Sequence, residues 1–295
     1  MDSLADSYLE LLSHMLTRYG FEGVFVPPRG RREKVLGPIN RVLRRAKLGI
    51  AVRPGFDEHE RRNGRDHPYE AETMIGLKRL ENLKMCIRTV IEDNVPGDLI
   101  ETGVWRGGAV IFMRGALLAY GDEDRVVWAA DSFEGLPSPS AAYAADADSE
   151  LHTVRHFEVG VETVKANFAK YGLLDDRVKF IKGWFSESLP GAPIERISVL
   201  RLDGDMYESQ MDALKNLYPK LSPGGFCIID DYHMIEACRR AIHDYRVSTT
   251  SRTPSWISTR TAPAGEGRSP DRRLRRRDHH DGSGRQGGPA VMSSC

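Results

Sequence analysis

Three aspartates stand where apolar runs stop. Asp203 follows ISVLRL in LRLDGDMY, and Asp230 and Asp231 follow FCII in FCIIDDY. If the two runs are neighbouring strands, the three carboxylates converge at one rim of a sheet. Gathered carboxylates repel one another and resist ionisation unless a cation neutralises them. Hard oxygen donors of this kind suit magnesium, with water and substrate oxygens completing the shell. Loop capping is the alternative, but it explains two consecutive aspartates after CII poorly. Asp205, two residues past Asp203, is read as a supporting group. A cation held here lowers the pKa of a hydroxyl bound to it. Asp203 is then the candidate catalytic base, and His233 a weaker one.

A second constellation lies upstream. In LIETGVWRGGAV an apolar run ends at Glu101, Thr102 and Gly103, and Gly107 and Gly108 precede a helical pattern. Glycines let a backbone turn tightly and approach a ligand closely. The spacing is not the GxGxxG of dinucleotide folds, which argues against an NAD-dependent dehydrogenase. A purely structural strand-to-helix turn remains open. The next apolar run, RVVWAADSF, ends at Asp131. A carboxylate there can accept bonds from both hydroxyls of a ribose, or it caps the following segment. In IKGWFSESLP a third run ends at Gly183, Trp184 and Phe185. A flat aromatic at that point either stacks on adenine or belongs to the core.

These residues need elements to place them. Residues 71–246 alternate helix and strand patterns: a long helix in AETMIGLKRLENLKMCIRTVIED, strands in DLIETG, RVVWAADSF, VKFIKGWF, ISVLRLDGD and GGFCIIDDY, and helices between them. Such alternation implies right-handed crossovers and a mainly parallel, doubly wound α/β sheet with ligands beyond the carboxyl ends of its strands. Residues 1–70 form a helical and loop extension. Its first helix carries Tyr8, Leu11, Leu12 and Met15 at helical spacing,. Its basic runs RGRREK and RVLRRAK are read chiefly as a solvated surface,.

Composition narrows the function further. The 295 residues are 40% hydrophobic and 28% charged with a net charge of +0, enough for a large core and without the basic excess of a nucleic-acid binder,. Cys86, Cys227, Cys238 and Cys295 show no paired spacing, so neither zinc nor a disulfide framework is expected, and Cys86 and Cys227 fit core positions,. The N-terminal MDSLADSYLELL lacks a secretory signal pattern,. No apolar run reaches the ~20 residues that span a bilayer, so a cytoplasmic protein without membrane partners is expected.

YEAETMIGLKRLENLK, IETGVWRGG, DSFEGLP, LRLDGDMYES, LYPKLSPGGF and IIDDY together resemble the macrocin O-methyltransferase family, from the first helix to about Arg246. The resemblance implies a Rossmann-like class I methyltransferase using S-adenosylmethionine and magnesium, acting on hydroxylated sugars of macrolide-like natural products, with homo-oligomers possible. It implies that Glu101, Thr102 and Gly103 lie near the cofactor, that Asp131 and Ser132 hold its ribose, and that Gly183, Trp184 and Phe185 flank adenine. Thr73 and Met74 would cover its methionine end. Asp203, Asp230 and Asp231 would bind the metal. A catechol-type methyltransferase would want Lys three residues after the fourth-strand aspartate, where Met206 stands.

From Val247 to Cys295 the hydrophobic periodicity vanishes and Ser, Thr, Arg, Gly and Pro dominate,. A disordered tail is one reading. The other is a shifted reading frame. Back-translated with GC-rich codons, VSTTSRTPSWISTRTAP can yield VDDVEDPIVDIDSDGA, which looks like a loop leading into the family's last strands. On that reading the chain lacks its edge strands, and a non-catalytic relic becomes the alternative to a working enzyme.

Overall fold

The computed structural model describes residues 3–21, 28, 30–52, 55–66, 68, 70–250 and 290–293. The bulk of the expected tail, 251–289 with 294 and 295, lies outside the described residues. The five expected strands are present as β1 (Asp98–Thr102), β2 (Val127–Asp131), β3 (Val178–Lys182), β4 (Ile197–Leu202) and β5 (Leu221–Ile229). A four-residue strand, β6 (Ala290–Ser293), pairs with β5 through Phe226–Ile229. The order is β3-β2-β1-β4-β5-β6 and every pair is parallel. This is the Rossmann-like architecture that the alternating pattern implied. The backbone pairing of β6 falls within the segment that sequence reading had set outside the fold.

Strand alternation feeds two cores, one on each face. Leu99, Val127, Val199 and Ile228 face one cluster, while Ile100, Ala130, Leu200, Leu202 and Ile229 face the other. Helices α1 (Ser3–Thr17), α4 (Gly76–Glu92), α5 (Gly108–Ala119) and α6 (Val161–Lys170) supply the first core. Helices α8 (Tyr207–Leu217) and α9 (Glu236–Thr250) supply the second. In α4 the stripe Leu77, Leu80, Leu83, Ile87 and Val90 is buried as its spacing predicts. Met74 lies ahead of that helix.

In α1 the stripe is rotated from the expected one. Leu9, Leu12 and Leu16 are buried, whereas Leu11 is 62% exposed. A helix that short offers several apolar arcs, and docking against α5 selects among them. The same helix joins the main core, so this part of the N-terminal extension is integral to it. By contrast, α2 (Arg31–Leu43) buries no residue, and its basic residues are exposed as read. Cys86, Cys227 and Cys238 are buried and not joined in disulfides. Among the described residues no helix is long and apolar enough to cross a membrane.

Candidate active site

The strand order reverses between β1 and β4, both leaving the sheet in the same direction. Loops after such strands diverge and leave a crevice. A cavity of about 880 Å³ opens there. Its walls come from the turn after β1, the ends of β2, β3, β4 and β5, and the segment that precedes α4.

Gly103 shows why the first turn needs a glycine. Its φ is +84°, and a Cβ there would lie 1.7 Å from the Asp203 carbonyl oxygen. The two strand ends therefore touch backbone to backbone, which fixes the cofactor-side turn relative to the acidic loop. Gly108 makes a second close approach: its N–H donates to the Glu72 carbonyl at 2.9 Å, and a Cβ would lie 2.5 Å from the Thr73 Cβ. This seats Glu72 and Thr73 over the start of α5. The Leu16 carbonyl of α1 accepts from the Glu72 and Thr73 amides at 3.1 and 3.4 Å and holds the same segment from behind.

Of the residues expected at the site, Thr73, Met74, Glu101, Gly103, Asp131, Ser132, Gly183, Trp184, Phe185, Asp203, Asp230 and Asp231 all line the cavity. Thr102 does not. It alternates with Glu101 and Gly103 along the strand, so its side chain points to the opposite face and is fully buried,. Asp131 is already engaged by backbone. Its Oδ2 accepts from the Val104 and Trp105 amides at 2.6 and 3.4 Å, and its Oδ1 from the Phe133 amide at 2.7 Å. Burial raises its pKa, and these three amides oppose that rise. His233 is exposed and does not line the cavity.

The acidic rim is arranged differently from the expectation. Asp203, Asp205 and Asp231 can each place a ligand oxygen within 4.8 Å of the others. Asp230 instead faces two guanidiniums: Arg79, and Arg201 through Nη2 at 2.5 Å. Arg201 is fully buried and also pairs with Glu101 and, at 2.8 Å, with Asp203. Asp205, read from sequence as a supporting group, thus stands in the convergent set, and Asp230 in the ion-pair network beneath it. The cause is in β4: Arg201 and Asp203 share a strand face, so the cation sits under the rim and draws in the nearest carboxylate of β5.

Five carboxyl groups (Glu101, Asp203, Asp205, Asp230, Asp231) crowd around two guanidiniums (Arg79, Arg201), so not all of them can ionise at low cost,. Burial first, then mutual repulsion, raises the pKa of Asp203 and Asp231. The same causes push Asp205 up to about 7. Burial pushes Glu101 up to about 8, against the pull of Arg201. The Asp203 side chain keeps 24% of its surface open, so it can still reach a ligand.

Arg79, Arg201 and the convergent role of Asp205 escaped sequence reading. Arginines in apolar strand and helix runs look like surface residues when most of their partner carboxylates come from other elements. The available signal was the Arg two residues before Asp203, one strand repeat from it.

Sequence comparison decides the lineage. Residues 5–257 match the family Macrocin-O-methyltransferase (TylF). The chain belongs to the macrocin O-methyltransferase family. It is therefore a methyltransferase, and the family and fold together imply S-adenosylmethionine as donor. It is 57% identical over 210 residues to the 8-demethyl-8-(2,3-dimethoxy-alpha-L-rhamnosyl)-tetracenomycin-C 4'-O-methyltransferase of Streptomyces olivaceus, covering 70% of this chain and 80% of that one. It is 52% identical over 202 residues to the mycinamicin III 3''-O-methyltransferase of Micromonospora griseorubida, covering 67% and 79%. Among solved structures, the O-methyltransferase NovP superposes with a TM-score of 0.73 at 43% identity, covering 86% of this chain and 95% of that one. Calicheamicin methyltransferase CalS11, 17% identical with a TM-score of 0.50 and coverage of 81% and 93%, shares the fold.

Proposed function

We propose that this family member methylates a sugar hydroxyl of a glycosylated natural product, using S-adenosylmethionine together with magnesium. The named relatives act on tetracenomycin and mycinamicin derivatives, and one further relative is a demethyldecarbamoylnovobiocin O-methyltransferase, 53% identical over 193 residues. The observation that carries the reading is one cavity lined by the β1 turn, Asp131 and the acidic rim together.

The rim fits a divalent cation. Its carboxylates outnumber its guanidiniums, a bound dication would favour their ionised forms, and hard carboxylate oxygens are the donors magnesium favours,. Asp203, Asp205 and Asp231 are the convergent donors, and Asp230 is within one residue of them. When bound, S-adenosylmethionine supplies an electrophilic methyl group and the metal supplies positive charge beside the acceptor oxygen.

The protein's own residues do the rest. Asp131 presents a carboxylate held by three amides toward the ribose hydroxyls. Ser132, Gly183, Trp184 and Phe185 border the adenine end, and Thr73 and Met74 close over the methionine end. Arg201 and Arg79 hold Glu101 and Asp230 so that the rim keeps its shape. Asp203 or its neighbour Asp205 takes the acceptor proton. Orientation of donor and acceptor in one enclosed space supplies much of the rate.

The test is calorimetry with S-adenosylmethionine and magnesium, followed by assays on hydroxylated glycosides with and without chelator. Donor binding with chelator-sensitive methyl transfer is expected. Full activity in chelator would remove the metal, and no donor binding would remove the whole reading.

A further inference from the structure

The segment between Gly135 and Glu158 is a loop with a closed neck. A Cβ on Gly135 would lie 3.1 Å from the Glu158 Cγ, so its two ends meet. Compact loops of this kind, with ends close together, often carry function. Leu136, Pro137, Ser138, Val154, His156 and Phe157 from this strap line the cavity. Far from the neck, Asp146 is 1% exposed and accepts from the Tyr207 and Glu208 amides at 2.7 and 2.9 Å, at the start of α8. The strap is therefore fastened beside the acidic loop, where the Tyr143 and Tyr207 rings also lie 5.6 Å apart.

Its second fastening is on the cofactor side. The Trp105 indole N–H donates to the His156 carbonyl at 2.9 Å. The Trp105 and His156 rings lie 5.2 Å apart, and the Arg106 guanidinium covers the indole at 4.6 Å. The Trp105 backbone belongs to the turn after β1, and its amide lies 3.4 Å from Asp131 Oδ2. Its φ is +48°, a left-handed conformation that a bulky residue adopts only under constraint,. A glycine would fit that backbone without strain. What the tryptophan adds is an indole that reaches the strap from the cofactor turn.

We propose that Trp105 is a positioning residue that couples occupancy of the cofactor turn to the order of the 136–157 strap, so that the acceptor wall is complete only when the cofactor is in place. This rests on the methyl-transfer reading above. The path is short: a ligand hydroxyl on Asp131 steadies the Val104–Trp105 amides, the indole follows its backbone, and the His156 carbonyl is fixed by the indole N–H. Binding of the donor before the acceptor is the kinetic consequence.

The test is amide hydrogen exchange of the full chain with and without saturating S-adenosylhomocysteine, comparing the native protein with W105F, which keeps an aromatic ring and loses the N–H. The amides of Val154 and Phe157, bonded to the Leu151 and Val154 carbonyls, report the strap. In the native protein the ligand is expected to slow their exchange by about tenfold, the worth of one well-made hydrogen bond. In W105F that slowing is expected to vanish while the ligand still binds by calorimetry and protection in β1 and β4 persists. Equal slowing of the strap in both proteins would overturn the coupling and leave the methyl-transfer reading standing. Failure of the native protein to bind S-adenosylhomocysteine would overturn both. A W105F chain that loses β-strand protection in the absence of ligand would show Trp105 to be structural and also overturn the coupling.

Discussion

At the residue scale the acidic rim gathers raised carboxyl pKa values in one place. Asp205 is held at about 7 against an ordinary 3.8, with burial as the leading cause. A carboxyl whose folded pKa is raised favours the folded state at low pH. That stability is fully present below about 4 and is lost as pH rises through about 7. Metal-free protein is therefore expected to lose roughly 2 kcal/mol between pH 5 and pH 8, judged from urea midpoints in chelator. Millimolar magnesium should flatten this dependence, because a bound cation favours the ionised form. A midpoint that climbs from pH 5 to 8 in chelator would contradict the electrostatic account. Replacing Asp203 by Ala is expected to cut turnover by roughly 10³-fold while part of the donor affinity survives. Calorimetry beside a methyl-transfer assay separates the two effects. Gly103→Ala should cost roughly 3 kcal/mol, from left-handed strain and the clash with the Asp203 carbonyl, and chemical denaturation reads it directly.

At the element scale, helix α8 begins directly after the acidic loop, and its first amides are capped from a distance by Asp146. Asp146→Ala removes an acceptor from two half-buried amides. It is expected to lower stability by roughly 1–2 kcal/mol and to open 136–157 to proteolysis. Unchanged cleavage in that stretch would show that the cap does not hold the strap. The stretch PSPSAAYAADADSE is small and acidic, a composition that suits a linker as well as a lid. A cap contributed 61 residues before the helix it serves leaves no local signature, so the role of Asp146 emerges only once the chain is folded. The β1 turn is the contrary case. Its glycines, its departure from GxGxxG and its position before α5 were all legible in twelve consecutive letters.

At the scale of the whole molecule, donor binding should register as stability. Saturation at 100 times Kd adds about 2.7 kcal/mol, which for a chain of this size raises the melting temperature by roughly 5 °C or more. No shift with S-adenosylmethionine would favour a non-catalytic product. The tail past Val247 is best addressed in the gene. An uninterrupted frame across that junction would remove the shifted-frame reading, and a displaced one would support it.

What the sequence by itself determined is everything governed by near neighbours. Periodicities of two and of about 3.6 mark strands and helices, and their alternation requires a parallel sheet. The carboxyl ends of that sheet had to hold Asp131, Asp203, Asp230 and Asp231. The tertiary structure decided which groups meet. Arg201 beneath the rim took Asp230 into an ion-pair network and left Asp205 among the convergent oxygens. Docking against α5 chose Leu9 and Leu16 over Leu11 in α1. Partner choice depends on distances through space between residues remote in the chain, and no local pattern encodes such distances.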